Sequence, residues 1–232
     1  RYWKHFFGRG IVEPEDDMRV TNPPSNPKLL DALADHFVAS GYDLKLLVHT
    51  LCTSRIYSLD SEPNDFNRQD KQSFSRFYPR RLSAEVLLDA IDSLTGATSR
   101  FAGVPGSIRA VQLPDTAFSS DFLNIFGRPD SVSACECERS SDVNLAQCLH
   151  LLNSQEVRQK VGGPRASGLA EDPRDSTAKL SELYRLAFSR EPTDNELRHL
   201  LGHLSKYEQD LPQAYEDIHW AMVNTKEFLF NH

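Results

Sequence analysis

Residues 133–153 read SACECERSSDVNLAQCLHLLN, which places Cys135, Cys137, Cys148 and His150 within sixteen positions. Thiolates and imidazole are the ligands that structural zinc favours, and four of them would close a tetrahedral site. The spacing opposes that use. Leu145, Cys148, Leu149 and Leu152 recur with helical period, so Cys148 is expected to face a core. His150, two residues on, then points about 200° away around the same helix. No metal site is expected here. Cys52 reads in the same way as Cys148, because it follows Val48 by four on an apolar stripe and buried free cysteine acts as a small hydrophobe. Cys135 and Cys137 precede the helix in a loop, flanked by Glu136, Glu138 and Arg139. Two readings stay open for them: ordinary loop thiols, or a small bridge or redox pair. A C-x-C ring is strained and exchange-prone, and a helix N-terminus nearby favours thiolate, whereas the two glutamates oppose it.

Two further sets of side chains could do chemistry. His5, Glu13, Asp16 and Asp17 gather imidazole and carboxylates around the EPEDD turn, a combination suited to a divalent cation or to general acid–base work. The same residues also make an ordinary solvated turn. Arg76, Arg80 and Arg81 alternate with Phe74, Phe77 and Tyr78, so they could grip an anion or stack on a sugar. The alternative is that the arginines pair near the next helix while the aromatics fill the core. A nucleophile elbow, a P-loop, a dinucleotide fingerprint, the zinc-protease helix and C-x-x-C-H are all missing from the sequence.

The elements that must position these groups are mostly helical. The chain has 232 residues, 39% hydrophobic and 25% charged, enough to bury a substantial core. A net charge of −7 without a basic stripe argues against nucleic acid as a partner. No apolar run approaches the roughly 18 residues of a membrane span. Four cysteines are too sparse for a disulfide-built scaffold. The opening RYWKHFFGRG reads as the last turns of a helix closed by Gly8 and Gly10, in a chain expected to be a piece of a longer protein. Helices follow at about 27–39 and 43–53, then a polar irregular stretch at 58–81. Ser83 caps a helix carrying Val86, Leu87, Ala90, Ile91 and Leu94, and Gly96 stops it. IRAVQL reads as extended, SDFLNIF as a short helix, 142–160 as one helix and GGPRASGLAEDPRDS at 162–176 as a flexible boundary. Three helices close the chain, the second opened by Thr193 and Glu196 in capping-box spacing and the third running from about 211 to 229. The expected class is mainly α: an irregular helical bundle with long loops and at most a minor short β element. Its expected organisation is a main region, 1–161, with a C-terminal three-helix region, 177–232, packed on it.

Five stretches in order carry a family resemblance. They are WKHFFGRGIVEPEDDMRVTNPPSNPKLLDALADHFVASGYDLKLLVHTL, FSRFYPRRLSAEVLLDAI, IRAVQLPD, FGRPDSVSACECERSSDVNLAQCLHLLNS and AMVNTKEFLFNH. Together they resemble the C-terminal domain of unknown function of large secreted proteins of planctomycetes and related bacteria. The residues that match most closely are Trp3, His5, Phe7, Gly8, Asp16, Asp17, Arg19, Cys135, Cys137, Glu138 and Arg139. Cys52 and Cys148 are not part of the pattern. The resemblance implies a periplasmic or cell-surface location and upstream domains as partners. It also implies a cytochrome-c-like module, hence haem c, elsewhere in the parent chain. It carries no catalytic residues. The functional expectation is a binding or scaffolding module of an extracellular electron-transfer or degradative system, with a polysaccharide or other extracellular ligand. The competing expectation is a hydrolase-like or metal-dependent enzyme using His5, Asp16 and Asp17, with Arg19 and Arg139 on the substrate. In either case Arg80 and Arg81 are the further candidates for holding an anion or substrate.

Overall fold

The computed structural model of the chain describes residues 1–104, 106, 108–115, 117–128 and 144–231. The described residues are mainly helical, with one minor antiparallel pair of two-residue strands. They form two compact units, Arg1–Arg80 and Arg81–Asn231.

In the first unit, α1 (Tyr2–Phe7) ends at Gly8 in the left-handed conformation, φ 78°. A Cβ at Gly8 would lie 2.7 Å from Arg80 Cδ. Glycine therefore both turns the chain and admits the Arg80 side chain, whose Nη2 donates to the Phe6 carbonyl at 3.1 Å. Helix α2 (Pro27–Ala39) starts on Asn26, whose side chain accepts from the Leu29 amide, with proline at its first position. Helix α3 (Leu44–Cys52) is capped by Asp43. Trp3, Phe7, Ile11, Leu51 and Phe74 make the small core, with the Trp3 and Phe7 rings stacked at 4.1 Å. No helix forms between α3 and β1 (Arg80–Arg81), but that stretch is organised by one carboxylate. Asp70 accepts from the amides of Gln72, Ser73 and Ser75 and from the hydroxyls of Ser75 and Tyr78. Burial would raise the Asp70 carboxyl, yet these donors hold it well below the usual carboxylate range. The turn they build puts Phe74 and Phe77 in the interior.

The second unit is assembled on α4 (Ala84–Thr95), whose Leu87, Leu88, Ile91 and Leu94 are completely buried. Each such side chain contributes about 1.5–3 kcal/mol of hydrophobic stabilisation. The buried stripe turns by one position from the expected one: Leu88 is inside and Val86 is exposed. Helix α4 packs against α5 (Asp121–Ile125), α7 (Gln155–Val161), α8 (Pro164–Glu171) and α9 (Ser176–Phe188). Then come α10 (Asp194–Lys206), α11 (Leu211–Val223), α12 (Lys226–Leu229) and β2 (Phe230–Asn231), the partner of β1. The Thr193–Glu196 capping box is formed as its spacing predicts.

Four local expectations are corrected. IRAVQL is not extended: Ala110–Gln112 form a 3-10 turn, whose Ala110 and Val111 amides donate to the Asp89 carboxylate at 2.7 and 3.1 Å. The helix expected over 142–160 is two, α6 (Leu145–Asn153) and α7, because Ser154 leaves the helical conformation and caps the second. The stretch 162–176 holds α8, started by Gly163 and Pro164; proline at the first helical position lacks only an amide that would be unpaired anyway. The last long helix stops at Val223, and Thr225 caps a separate turn.

Candidate functional site

The acidic turn of the first unit is built by ion pairs. Lys4 Nζ, on α1, bonds Glu13 at 2.8 Å and Glu15 at 2.5 Å, and the Gly10 amide donates to the other Glu13 oxygen at 2.8 Å. Burial would raise Glu13, but Lys4 and Gly10 hold it below its ordinary value. Arg1 bonds Asp16 at 2.6 Å, and Arg19 makes two 2.6 Å bonds to Asp17, lowering the Asp17 carboxyl. His5 is exposed on α1, with its ring edge-on to Phe6. The structure therefore brings Asp16, Asp17 and Arg19 into one turn, with each carboxylate already held by an arginine. Among the described residues no three His, Cys, Asp or Glu side chains converge as metal ligands.

The sequence-nominated arginines divide between the units. Arg76 donates to the Ser61 carbonyl at 3.1 Å and lies over the Tyr78 ring. Arg80 reaches Phe6, and burial pulls its guanidinium below the usual range. Arg81 donates to the Phe126 carbonyl at 3.1 Å and to Gln147 Oε1 on α6. That last bond explains a reversed helix face. Leu145, Cys148, Leu149 and Leu152 are exposed, and the inward positions are Gln147 and Leu151, with His150 nearly covered. Gln147 also accepts from the Asn144 amide and donates to the Ile125 carbonyl, so one amide side chain satisfies three elements. Cys148 is thus a surface thiol rather than a core one, and Cys52 is partly covered. Cys135, Cys137, Glu138 and Arg139 lie outside the described residues.

A concavity of the second unit was not nominated by any motif. It is a cavity of about 370 Å³ in the second unit, near the lower end of the roughly 300–1,000 Å³ usual for small-molecule sites. Its walls are the loop after α4 (97–101), the approach to α5 (119–121) and the face of α7 that carries Glu156, Gln159 and Lys160. Lys160 is only 7% exposed. Its ammonium bonds Asp92 Oδ1 at 2.5 Å and Ser99 Oγ at 2.7 Å, and the other Asp92 oxygen takes the Ser99 amide at 2.8 Å. A carboxylate on α4, an ammonium on α7 and a loop hydroxyl are so locked together, with no buried charge left unpaired. Gly163 lets α7 turn here, since a Cβ would meet Lys160 O at 2.7 Å and Thr95 O at 3.0 Å. Glu156 approaches His150 Nε2 at 3.8 Å, and the His150 ring sits edge-on to Phe122 and Phe126. A salt-bridged ammonium is a hydrogen-bond donor, not a base, so this constellation is equipped to hold a polar ligand.

The other buried lysine differs in kind. Lys179 caps the end of α8 through the carbonyls of Leu169 and Asp172, at 3.0 Å each. The sequence signal that separates the two is the polar company of Lys160, with Glu156 one helical turn before it and the hydroxyl-rich stretches Thr98–Ser99 and Ser119–Ser120 elsewhere. Nothing local links those segments to one another.

The family model described as PSD1, protein of unknown function (DUF1553), matches residues 1–204, a span that includes the acidic turn and every wall of the cavity. No curated protein and no solved structure matches the chain.

Proposed function

The chain belongs to this family of proteins of unknown function, DUF1553, and from that premise we propose that it is a binding module whose second unit holds a small polar ligand. The observation that carries the reading is the cavity built around Lys160, in which an ion pair and a hydroxyl are fixed ahead of any ligand. Such preorganisation lowers the cost of ordering side chains on binding. The turn containing Asp16 and Asp17 offers no comparable site, because each of those two carboxylates is already held by an arginine.

The setting we propose is a secreted, multidomain protein of the planctomycete type, at the periplasm or cell surface. Upstream domains, including a haem c module, are its partners there. The ordered set of five motifs supports this setting. In it Cys135 and Cys137 form a bridge, which intact mass before and after reduction with alkylation tests. Two alkylated thiols before reduction and four after it are expected; four at the outset count against both the bridge and the compartment.

The binding role is tested by thermal unfolding of the chain against sugars, inorganic phosphate, divalent cations and amines. A ligand at a hundred times its Kd adds about 2.7 kcal/mol, which raises Tm by several degrees at roughly 2–4 °C per kcal/mol. At least one class is expected to raise Tm in the parent and in Asp17→Asn but less in Gln159→Ala. No response to any class, or a response lost only in Asp17→Asn, would overturn the reading.

A further inference from the structure

We propose that the cavity takes a neutral, polyhydroxylated ligand, a sugar unit, in preference to an inorganic anion or a cation. The inference rests on the reading of the cavity as a binding site and adds the chemistry of its occupant. The lining carries two cationic side chains, Arg100 and Lys160, and two carboxylates, Asp121 and Glu156. Lys160, the buried cation, is already compensated by Asp92 at 2.5 Å. With Lys160 compensated, Arg100 faces Asp121 and Glu156, so an inorganic anion would meet more negative than positive charge, and a cation would meet the Arg100 guanidinium.

The hydrogen bonds of the lining also have a direction. Ser99 Oγ accepts from Lys160, and Ser120 Oγ accepts from the Leu123 amide at 3.2 Å. Among the described residues neither hydroxyl proton has an acceptor, so both serines are left as donors on the cavity wall. Glu156 and Asp121 supply acceptors, and the Gln159 amide supplies both. A vicinal diol donates and accepts at neighbouring atoms without carrying charge, which this mixture satisfies, whereas the charged oxygens of inorganic phosphate would lie beside Asp121 and Glu156. Ala97 and the small exposed part of Phe101 give the cavity apolar wall for the C–H face of a sugar ring.

Saturation-transfer NMR on the whole chain tests the proposal. The probes are neutral hexoses and pentoses, their β-linked disaccharides, inorganic phosphate and magnesium, the ions being read from amide shifts of the cavity residues. Neutral sugars are expected to receive saturation, with Kd raised about five- to tenfold in Ser99→Ala and in Gln159→Ala. Stronger signals from disaccharides than from monosaccharides would place the source in a glycan chain, and equal signals in a free sugar; either supports the class. If phosphate or magnesium shifts the cavity amides while sugars receive nothing, the ligand class is wrong and the binding site stands. If no probe touches those amides, the site itself falls. Gln159 is exposed, so its variant is expected to fold even if Ser99→Ala does not.

Discussion

The two units hold ion pairs of nearly identical length in opposite surroundings. Arg1 and Asp16 meet at 2.6 Å with side chains 75% and 53% exposed, whereas Lys160 and Asp92 meet at 2.5 Å with 8% and 15% exposed. In water such a pair is close to neutral for stability, because solvent screens it and two long side chains must be ordered. Under cover, each charge loses hydration worth several kcal/mol, and only the partner and further hydrogen bonds offset that loss. The turn is the charge-rich segment that sequence reading singles out. The covered pair, which no motif announces, is the one that constrains its surroundings. Density of charged residues in a sequence is therefore a poor guide to where charge matters.

Removing one partner of each pair breaks the comparison most directly. Lys160→Met leaves Asp92 covered and unpaired, and a loss of about 3–5 kcal/mol in urea unfolding is expected. A loss comparable to that of surface substitutions would contradict the locked ammonium. The Arg81–Gln147 contact tests the same logic with one charge. Gln147→Leu removes the amide acceptor of Arg81, and a loss of about 1–3 kcal/mol is expected even though the substitution is more apolar.

Arg190 in the second unit lies between these extremes. It bonds Glu196 at 2.8 and 2.9 Å and Glu227 at 2.6 and 2.8 Å, joining the ends of α9 and α10 to α12. Arg190, with help from Thr193, holds the Glu196 carboxyl down from 4.5 to about 2. The folded value is the lower one, so the unfolded chain binds more protons between those values. Its stabilisation is full above pH 4.5 and is lost as pH falls toward 2. Glu196→Gln is expected to flatten that part of the stability–pH curve; an unchanged slope would show that the pair contributes nothing. Burial of His219 lowers its imidazole from 6.5, which adds loss of stability on acidification below that value in parent and variant alike. The smallest effects belong to the turn: Asp16→Asn and Asp17→Asn are expected to leave urea unfolding unchanged within error.

Legibility followed the range of the interactions. Helix α2 runs over Pro27–Ala39, the span its apolar spacing predicts, and the Thr193–Glu196 box and the Gly8 and Gly96 stops are likewise local chemistry. Reading failed where a distant partner chose between local options. Helix α6 has two competing stripes, and the more apolar one, through Leu145 and Leu149, is outside because Arg81 and Ile125 bond Gln147 on the other. Proline and glycine at 163–164 suggested a break and instead start α8. The cavity needed Asp92, Ser99 and Lys160 together, separated by up to 68 residues, and no spacing rule anticipates that. The chain belongs to a family of unknown function, the coarser part of what the resemblance implies, while those closest-matching residues that lie in the described chain, Trp3 to Arg19, are in the first unit.

Amide chemical-shift mapping of the whole chain, titrated with neutral disaccharides, tests the central claim most directly. The expected result is saturable shifts at Ser99, Arg100, Ser120 and Gln159, with Asp16, Asp17 and Arg19 unmoved. Shifts confined to the acidic turn, with the cavity amides silent, would contradict it.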